Sequence, residues 1–364
     1  MNLHPSNLWN HVKKGFQWLN DKHIFKGIRV SYKVIWNLFL IFISIAFIGC
    51  FFAGGVAAGY FASLVKDQKV LDYDTMKQEI NNYSETSTIY FADNKALGRL
   101  QTDLIRTDVS LKDVSPHYIN ALLATEDQLF YEHDGIVPKS LFRAVFQELT
   151  NQPIVTGGST ITQQLVKNQM LTNEVSFDRK AREILLSLRL ERFFNKDDIL
   201  QAYINVIPFG RNSSGQNIAG VQAAAKGIFD VDAKDLNIAQ AAFIAGIPKN
   251  PFAYTPFKNS GGIKEDISSG VNRAHTVLKR MVDAGYITND EYQKALKYDY
   301  KKHFAKETEP SILKYPYLME DIRTRAADKL AIIAADEKGY DGEKLKEDAA
   351  ELENLQWLAN VQGN

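Results

Sequence analysis

An uninterrupted apolar run limits the folds that are open to this chain. No Asp, Glu, Lys or Arg occurs between Val34 and Val65, whereas about 20 apolar residues suffice for a helix to cross a bilayer. The run is too long and begins too late in the chain for a cleaved signal peptide. The sequence therefore predicts a single transmembrane helix over residues 34–65.

Basic residues before this run predict its orientation. The lysines and arginines of the first 33 residues are Lys13, Lys14, Lys22, Lys26, Arg29 and Lys33. Because positive charge is retained on the cytoplasmic side of a membrane, we expect residues 1–33 to form a cytoplasmic basic tail. Everything after the helix is then extracellular. Residues 66–89 are polar and suit a stalk or connecting segment.

Beyond the stalk, the pattern is that of a mainly helical domain. The 364 residues are 45% hydrophobic and 24% charged, which is typical of a folded chain. Alternating residues on both sides of Asp93 and Asn94 predict a hairpin. From about residue 115, apolar residues recur at three- and four-residue spacing, which predicts helices. We expect one domain over residues 90–300 and a separate, charged linker region over residues 301–364.

The composition excludes several classes of function. The formal net charge is zero, so no overall field attracts nucleic acid, and we expect no nucleic-acid partner. Cys50 is the single cysteine and lies within the apolar run, which excludes an intrachain disulfide framework and a cysteine-based metal site. Electrostatic function must come from local clusters of charge.

The first such cluster is EDQLFYEHDG at residues 126–135, directly behind an apolar helical run. Glu126 and Phe130 are four residues apart and share one face of the predicted helix. A carboxylate beside an aromatic ring at the end of a helix suits general acid or base chemistry. A solvated helix end is the alternative interpretation.

Two further clusters combine hydroxyl, amide and basic groups. The stretch GGSTITQQLVKN at residues 157–168 predicts a loop entering a helix, whose free N–H groups attract anions; a capping box is the alternative. The stretch RKARE at residues 179–183 has the cation density of a phosphate site, and Glu183 within it is a candidate metal ligand. Here the alternative is an amphipathic helix with paired charges.

Together these stretches resemble a known family. EDQLFYEHDG is similar to the E-D-x-x-F-x-x-H-x-G signature of the family 51 peptidoglycan glycosyltransferases, the domain found in class A penicillin-binding proteins. GGSTITQQLVKN and RKARE resemble the second and third motifs of that family. KDDILQAYINVIPFG (196–210) and RAHTVL (273–278) resemble the fourth and fifth. The five motifs occur in order, and the resemblance covers roughly residues 90–298.

The resemblance implies a mainly α, lysozyme-like glycosyltransferase domain with a large lobe and a membrane-proximal jaw lobe, preceded by one transmembrane helix. The jaw is expected around residues 136–145. The implied activity is the polymerisation of lipid II into β-1,4-linked glycan, by inverting transfer with release of undecaprenyl pyrophosphate. The implied location is the cell membrane, with the catalytic domain outside the cell.

The resemblance also implies roles for individual residues. Glu126 corresponds to the catalytic base, and Glu183 to a second catalytic residue that binds a divalent cation, Mg²⁺ or Mn²⁺, or supports the neighbouring cations. The residues implied in substrate binding are Asp127, Ser159, Thr160, Gln163, Gln164, Lys167, Arg179, Lys180 and Asn205. His133 and Gly135 are expected to shape the loop. The implied partners are lipid II, the growing glycan strand, the lipid bilayer and proteins of cell-wall synthesis and division.

Two alternatives remain open from the sequence. A lysozyme-like fold also suits a glycan hydrolase, but hydrolysis of the usual kind needs a second carboxylate at a set separation. Class A penicillin-binding proteins continue into a transpeptidase domain with S-x-x-K and K-T-G elements. No K-T-G occurs here, and we expect the transpeptidase domain to be absent from this chain. A naturally monofunctional glycosyltransferase is the alternative to a part of a bifunctional enzyme.

Overall fold

The computed structural model describes residues 5–21, 24–66, 70–81, 83, 86, 88–99, 104–139, 158–171, 176–307 and 315–337. The chain divides into two compact units, Met1–Gln68 and Lys69–Asn364. The first unit contains the predicted transmembrane segment, and the second contains all five motifs.

The first unit consists of the helices α1 (Pro5–Asp21) and α2 (Ile24–Val65). Within α2, the stretch Val30–Tyr60 has a mean hydropathy of 2.5 and is long and apolar enough to cross a membrane. Large apolar side chains on this helix are exposed, including Phe42 and Phe51, each at 69%. Apolar surface on this scale is costly in water, so the helix is built for an apolar environment.

The second unit is mainly helical, which confirms the predicted fold class. Its helices are α3 (Tyr73–Ile80), α4 (Pro116–Glu126), α5 (Ile161–Met170), α6 (Phe177–Phe193), α7 (Lys196–Val206), α8 (Val221–Phe229), α9 (Ile238–Gly246), α10 (Pro251–Tyr254), α11 (Ser268–Asp283), α12 (Asn289–Leu296), α13 (Tyr300–His303) and α14 (Pro316–Glu337). Most of the predicted jaw segment, from residue 140 onward, lies outside the described residues.

Polar residues fix where the helices begin. Thr160, Asn237 and Thr288 each cap a helix with a side-chain oxygen that accepts from the third residue of the helix. In all three, the side-chain oxygen of the Gln or Glu at that third position accepts a hydrogen bond from the backbone N–H of the cap residue, which completes a capping box. This arrangement satisfies N–H groups that a helix start would otherwise leave unpaired.

The core is centred on α9. Its sequence, IAQAAFIAG, is apolar almost all round, and its residues from Ala239 to Gly246 are buried, as is expected of a helix surrounded by protein. Helices α4 and α11 pack against it and against each other. Phe243 of α9 packs against Phe229, Tyr300 and Phe304, which ties the chain after α12 to the same core.

Two small sheets complete the unit. Strands β1 (Thr88–Tyr90) and β2 (Ala96–Arg99) form an antiparallel hairpin, with Asn94 in its turn at a positive φ of 62°, so the predicted hairpin is confirmed. Strands β3 (Leu104–Arg106), β5 (Asn217–Ala219) and β4 (Pro208–Arg211) form a second sheet in that order.

Candidate active site

A cavity of about 590 Å³ lies at the carboxyl end of α4. Its charged lining residues are Glu126, Asp127, Lys167, Lys249, Arg273, Arg280 and Asp283. Four of these are cations, and the first, second and fifth motifs each contribute to the wall. The lining therefore combines acidic groups with a local excess of basic groups, although the chain as a whole carries no net charge.

Glu126 is the last residue of α4, and its carboxylate is held from two sides. The side-chain amide Nε2 of Gln164 donates a 2.9 Å hydrogen bond to Oε2 of Glu126. On the other side, Nη2 of Arg273 lies 3.7 Å from Oε1. The Glu126 side chain is 15% exposed, so it reaches the cavity while most of its surface is covered. One contact is a hydrogen bond from an amide and the other brings a guanidinium close to the carboxylate.

Arg273 belongs to α11 and is itself nearly buried, with 8% of its side chain exposed. Burial lowers the pKa of this guanidinium and the nearby Glu126 carboxylate raises it; arginine remains a cation at neutral pH in either case. Its Nε also donates to the backbone oxygen of Gly246 at 3.3 Å. A Cβ at position 246 would lie 2.9 Å from Cγ of Arg273, so the glycine makes room for this arginine.

Asp127 faces the start of α5. Its Oδ2 accepts a 3.0 Å hydrogen bond from the backbone N–H of Ile161 and lies 2.9 Å from Nε2 of His133. The backbone N–H of Gly135 donates to Nδ1 of His133 at 3.0 Å, so Nδ1 carries no proton and Nε2 donates to Asp127. The acid and imidazole of the first motif thus anchor its loop to the second motif.

Gly135 is required by geometry. Its φ is +87°, and a Cβ there would lie 2.8 Å from the backbone oxygen of Ser187. Its own backbone oxygen accepts a 2.6 Å hydrogen bond from the Thr160 hydroxyl. The loop of the first motif therefore fits between α5 and α6 only with glycine at this position. This agrees with the expectation that Gly135 shapes the loop.

The polar residues at the start of α5 divide into two groups. Thr160 and Gln163 form the capping box and are each 3% exposed, so the alternative interpretation of this stretch holds for them. Ser159, Gln164 and Lys167 line the cavity. Substrate binding by Thr160 and Gln163 remains a prediction, and their described hydrogen bonds go to the protein itself.

The third motif lies on α6. The Lys180 ammonium donates to Oγ of Ser159 at 3.1 Å and forms an ion pair with Glu183. The Glu183 side chain is only 3% exposed, against 34% for Lys180. Arg182 pairs with Asp178 on the outer part of the helix. Lys180 therefore connects the third motif to the second through a cavity-lining serine.

Asn205 is not one of the cavity-lining residues. It is 2% exposed, its Nδ2 donates to the backbone oxygen of Val109 at 3.1 Å, and its Oδ1 accepts from the Val109 N–H at 3.2 Å. This paired contact holds the segment after β3 against α7. The predicted role of Asn205 in substrate binding is therefore still a prediction.

The donor set around Glu183 does not fit a divalent cation held by the protein alone. Among the residues that the structure describes, no group of three or more His, Cys, Asp or Glu side chains could hold a metal ion. The Glu183 carboxylate is paired with the Lys180 ammonium, whose positive charge opposes a cation at the same oxygen. Mg²⁺ is commonly bound by one or two carboxylates together with substrate phosphates, so the predicted Mg²⁺ or Mn²⁺ would depend on the substrate.

The sequence analysis assigned no role to three cations that line the cavity: Lys249, Arg273 and Arg280. Arg273 opens the fifth motif, and Arg280 follows it seven residues later, so both lie on one face of α11. Arg280 donates from Nη1 to the backbone oxygen of Thr125 at 2.7 Å, where the end of α4 attracts a cation. The seven-residue spacing is the signal for Arg280, whereas the loop that holds Lys249 gives none.

A helical domain with a carboxylate and clustered cations around an open cavity has the groups that general acid or base chemistry and the binding of an anion require. The family model described as Transglycosylase matches residues 93–282, more than half of the 364-residue chain. The chain belongs to this transglycosylase family. The resemblance to peptidoglycan glycosyltransferases that the five motifs predict is confirmed, and so is the prediction of an enzyme.

Similar curated proteins include several that are named penicillin-binding protein 1A. That of Clostridium botulinum (strain Langeland) is 37% identical over 288 residues, which is 77% of this chain and 32% of the relative. That of Pseudomonas aeruginosa is 38% identical over 65% of this chain and 27% of the relative. That of Aquifex aeolicus is 38% identical over 58% of this chain and 27% of the relative.

This chain therefore spans about a third or less of the length of these relatives. A solved structure of penicillin-binding protein 1A from Haemophilus influenzae is 23% identical with a TM-score of 0.37, over 68% of this chain and 24% of that chain.

Proposed function

We propose that this chain polymerises lipid II into β-1,4-linked glycan strands, by inverting glycosyl transfer that releases undecaprenyl pyrophosphate. The observation that carries the proposal is the setting of Glu126, whose carboxylate is held by Gln164 and Arg273 on the wall of a cation-lined cavity. A held, charged carboxylate that still reaches the cavity is suited to accept a proton from a bound substrate.

In the proposed reaction, Glu126 removes the proton from the 4-hydroxyl of the acceptor sugar while that oxygen attacks the anomeric carbon of the donor. The bond from the anomeric carbon to the pyrophosphate breaks, and its electron pair leaves with the phosphate oxygen. Negative charge therefore grows on the leaving group, where fixed cations stabilise the transition state more than the ground state.

The cations for this task come from two motifs. Lys167 of α5 lines the cavity, and Lys180 of α6 is attached to the cavity-lining Ser159. Arg179 precedes Lys180 and brings a planar set of donors that matches phosphate oxygens. Glu183 keeps Lys180 in place through its ion pair. In this proposal the chain's own cations stabilise the leaving group, and a divalent cation, Mg²⁺ or Mn²⁺, stays a prediction from the resemblance.

The proposal extends to the membrane. We place α2 across the bilayer because its stretch Val30–Tyr60 is long and apolar enough to cross it. Six basic residues precede the apolar run in the sequence, which favours a cytoplasmic amino terminus and an extracellular catalytic domain. A substrate anchored in the same bilayer by its prenyl chain would then meet the enzyme without leaving the membrane. Proteins of cell-wall synthesis and division are further proposed partners.

The direct test is incubation of the detergent-solubilised chain with labelled lipid II, followed by separation of glycan polymer from monomer. Polymer formation by wild type and its loss in Glu126→Gln support the proposal. Finished, lipid-free glycan is offered in parallel, because a hydrolase would shorten it. Cleavage of that glycan without polymer formation would establish the hydrolase alternative instead.

A further inference from the structure

A chain of hydrogen bonds joins a fully buried tyrosine to the carboxylate proposed as the base. The hydroxyl of Tyr203 on α7 donates to Oε1 of Gln164 at 2.9 Å. Nε2 of the same amide donates to Oε2 of Glu126 at 2.9 Å. Tyr203 is 0% exposed. Three helices, α4, α5 and α7, therefore each contribute one member of this chain, which we call the Tyr203 relay.

We propose that Tyr203 is a positioning residue for glycosyl transfer: its hydroxyl holds the Gln164 amide with the NH₂ group turned toward Glu126. The inference deepens the proposed function and rests on it. Tyr203 is not itself a cavity-lining residue, and it contacts the lining through its hydrogen bond to Gln164. It acts through Gln164 alone.

The physical reason lies in the two ends of the amide. Its NH₂ group donates to a charged carboxylate, whereas its oxygen would repel that carboxylate and would accept from the protonated acid instead. A rotation of the amide would thus favour the protonated form of Glu126, which cannot act as a base. The Tyr203 proton opposes that rotation, since in the interior it needs the amide oxygen as its acceptor.

Several other charged and titratable groups lie around Glu126. Arg273 of α11 faces the carboxylate at 3.7 Å, and the phenol groups of Tyr118 and Tyr203 lie near enough to feel its charge. The remaining charged groups on the cavity wall are Asp127, Lys167, Lys249, Arg280 and Asp283. Helix α9, which packs on α4, has no ionisable side chain. Removal of the Tyr203 hydroxyl leaves Arg273 and the charged groups of the cavity wall in place.

The chain offers a matched control in Tyr118. Its side chain is also 0% exposed, and its hydroxyl has no hydrogen-bond partner among the residues that the structure describes. Tyr203→Phe and Tyr118→Phe remove the same atom from equally buried rings. An effect of the space left by a missing buried oxygen would appear in both variants, whereas loss of the hydrogen bond to Gln164 would appear in Tyr203→Phe alone.

The experiment measures kcat/KM for lipid II polymerisation against pH in the full chain, with thermal unfolding of each variant. For Tyr203→Phe we expect the acidic limb of the profile to move upward by roughly half a pH unit or more. We also expect kcat/KM at neutral pH to fall roughly two- to tenfold. For Tyr118→Phe we expect the acidic limb of the profile to lie at the same pH as in wild type. An unmoved limb in folded Tyr203→Phe, or an equal movement in both variants, would overturn the inference.

A third variant tests the route through the amide. Gln164→Met keeps the length of the side chain and removes both of its hydrogen-bonding ends. We expect it to move the acidic limb, and the double variant Gln164→Met/Tyr203→Phe to move it no further. Additive movements would show that Tyr203 acts independently of Gln164. If wild type and Tyr118→Phe both make no glycan, the proposed function itself fails and this inference falls with it.

Discussion

Lys180 and Glu183, three residues apart on α6, form an ion pair whose carboxylate is almost completely buried. The same ammonium donates to Ser159 on the cavity wall. Lys180 is therefore both a candidate phosphate ligand and the partner that makes the buried Glu183 tolerable. Loss of Lys180 should therefore affect stability as well as activity, whereas loss of the neighbouring Arg179 should affect mainly activity.

We expect Lys180→Ala to lower stability by about 1–3 kcal/mol, because it leaves the Glu183 carboxylate buried without its cation. Arg179→Ala should change stability by no more than about 0.5 kcal/mol, while both variants lose polymerisation. Thermal unfolding and lipid II consumption separate the two effects. The double variant Lys180→Met/Glu183→Gln is the control, since it removes both charges and should recover much of the stability but not the activity. Equal unfolding of both single alanine variants would contradict this account.

Replacement of Glu126 tests the base directly. Glu126→Gln keeps the shape of the side chain but cannot take up the acceptor proton, so we expect polymerisation to fall by about 10²–10⁴-fold. The matched control is Glu132→Gln, an exposed acid of the same motif, which should retain the activity of wild type. Both variants should unfold near the wild-type temperature. Substantial activity in Glu126→Gln would remove this residue from the role of base.

The sequence predicts the helices and the clustering of motifs better than it predicts what each motif residue contacts. Helical periodicity is local, so α4 to α9 and α11 could be anticipated from apolar spacing. The pairing of β3 with β5 brings Leu104 beside Asn217, and such a register depends on tertiary packing that local patterns do not encode. For the same reason Asn205, a motif residue, could not be assigned to the Val109 backbone in advance.

The second motif shows the same limit at the level of single side chains. From the sequence, its hydroxyls and amides were equivalent candidates for substrate binding. In the structure, two neighbouring amides have different partners. The side chain of Gln163 accepts from the backbone N–H of Thr160, whereas the side chain of Gln164 donates to Glu126. Helical geometry turns successive residues by about 100°, so the position of the helix relative to α4 decides which amide faces the cavity.

Gly135 offers a test of packing behind the site. Gly135→Ala should destabilise the domain by about 2–4 kcal/mol, because the new methyl group meets both strain at positive φ and the Ser187 backbone. Gly285 is the matched control: its φ is +75° and a Cβ there would meet nothing within 4 Å. Gly285→Ala should therefore lose only the conformational part, about 1 kcal/mol. Thermal or denaturant unfolding measures the difference, and equal losses would show that the clash at Ser187 is relieved.

The last prediction concerns alkaline pH. Burial raises the pKa of the Tyr118 and Tyr203 phenols well above the usual value, and the nearby Glu126 charge raises both further. Above about pH 10 an unfolded chain loses these protons while the native chain keeps them, so the unfolded state binds fewer protons and stability falls as pH rises. Below the unfolded pKa the contribution is present in full.

We therefore expect the tyrosinate absorbance of these two residues to appear together with the loss of near-ultraviolet circular dichroism, in one cooperative step above about pH 10. Each buried phenol contributes a slope of about 1.4 kcal/mol per pH unit to the loss of stability in that range. Tyr118→Phe should reduce the slope of stability against pH by the contribution of one buried phenol. Tyr317 is 91% exposed, so Tyr317→Phe should leave the slope unchanged. Complete ionisation of all tyrosines in a chain that keeps its native dichroism would show that the two phenols are open to solvent, which contradicts their burial beneath the active site.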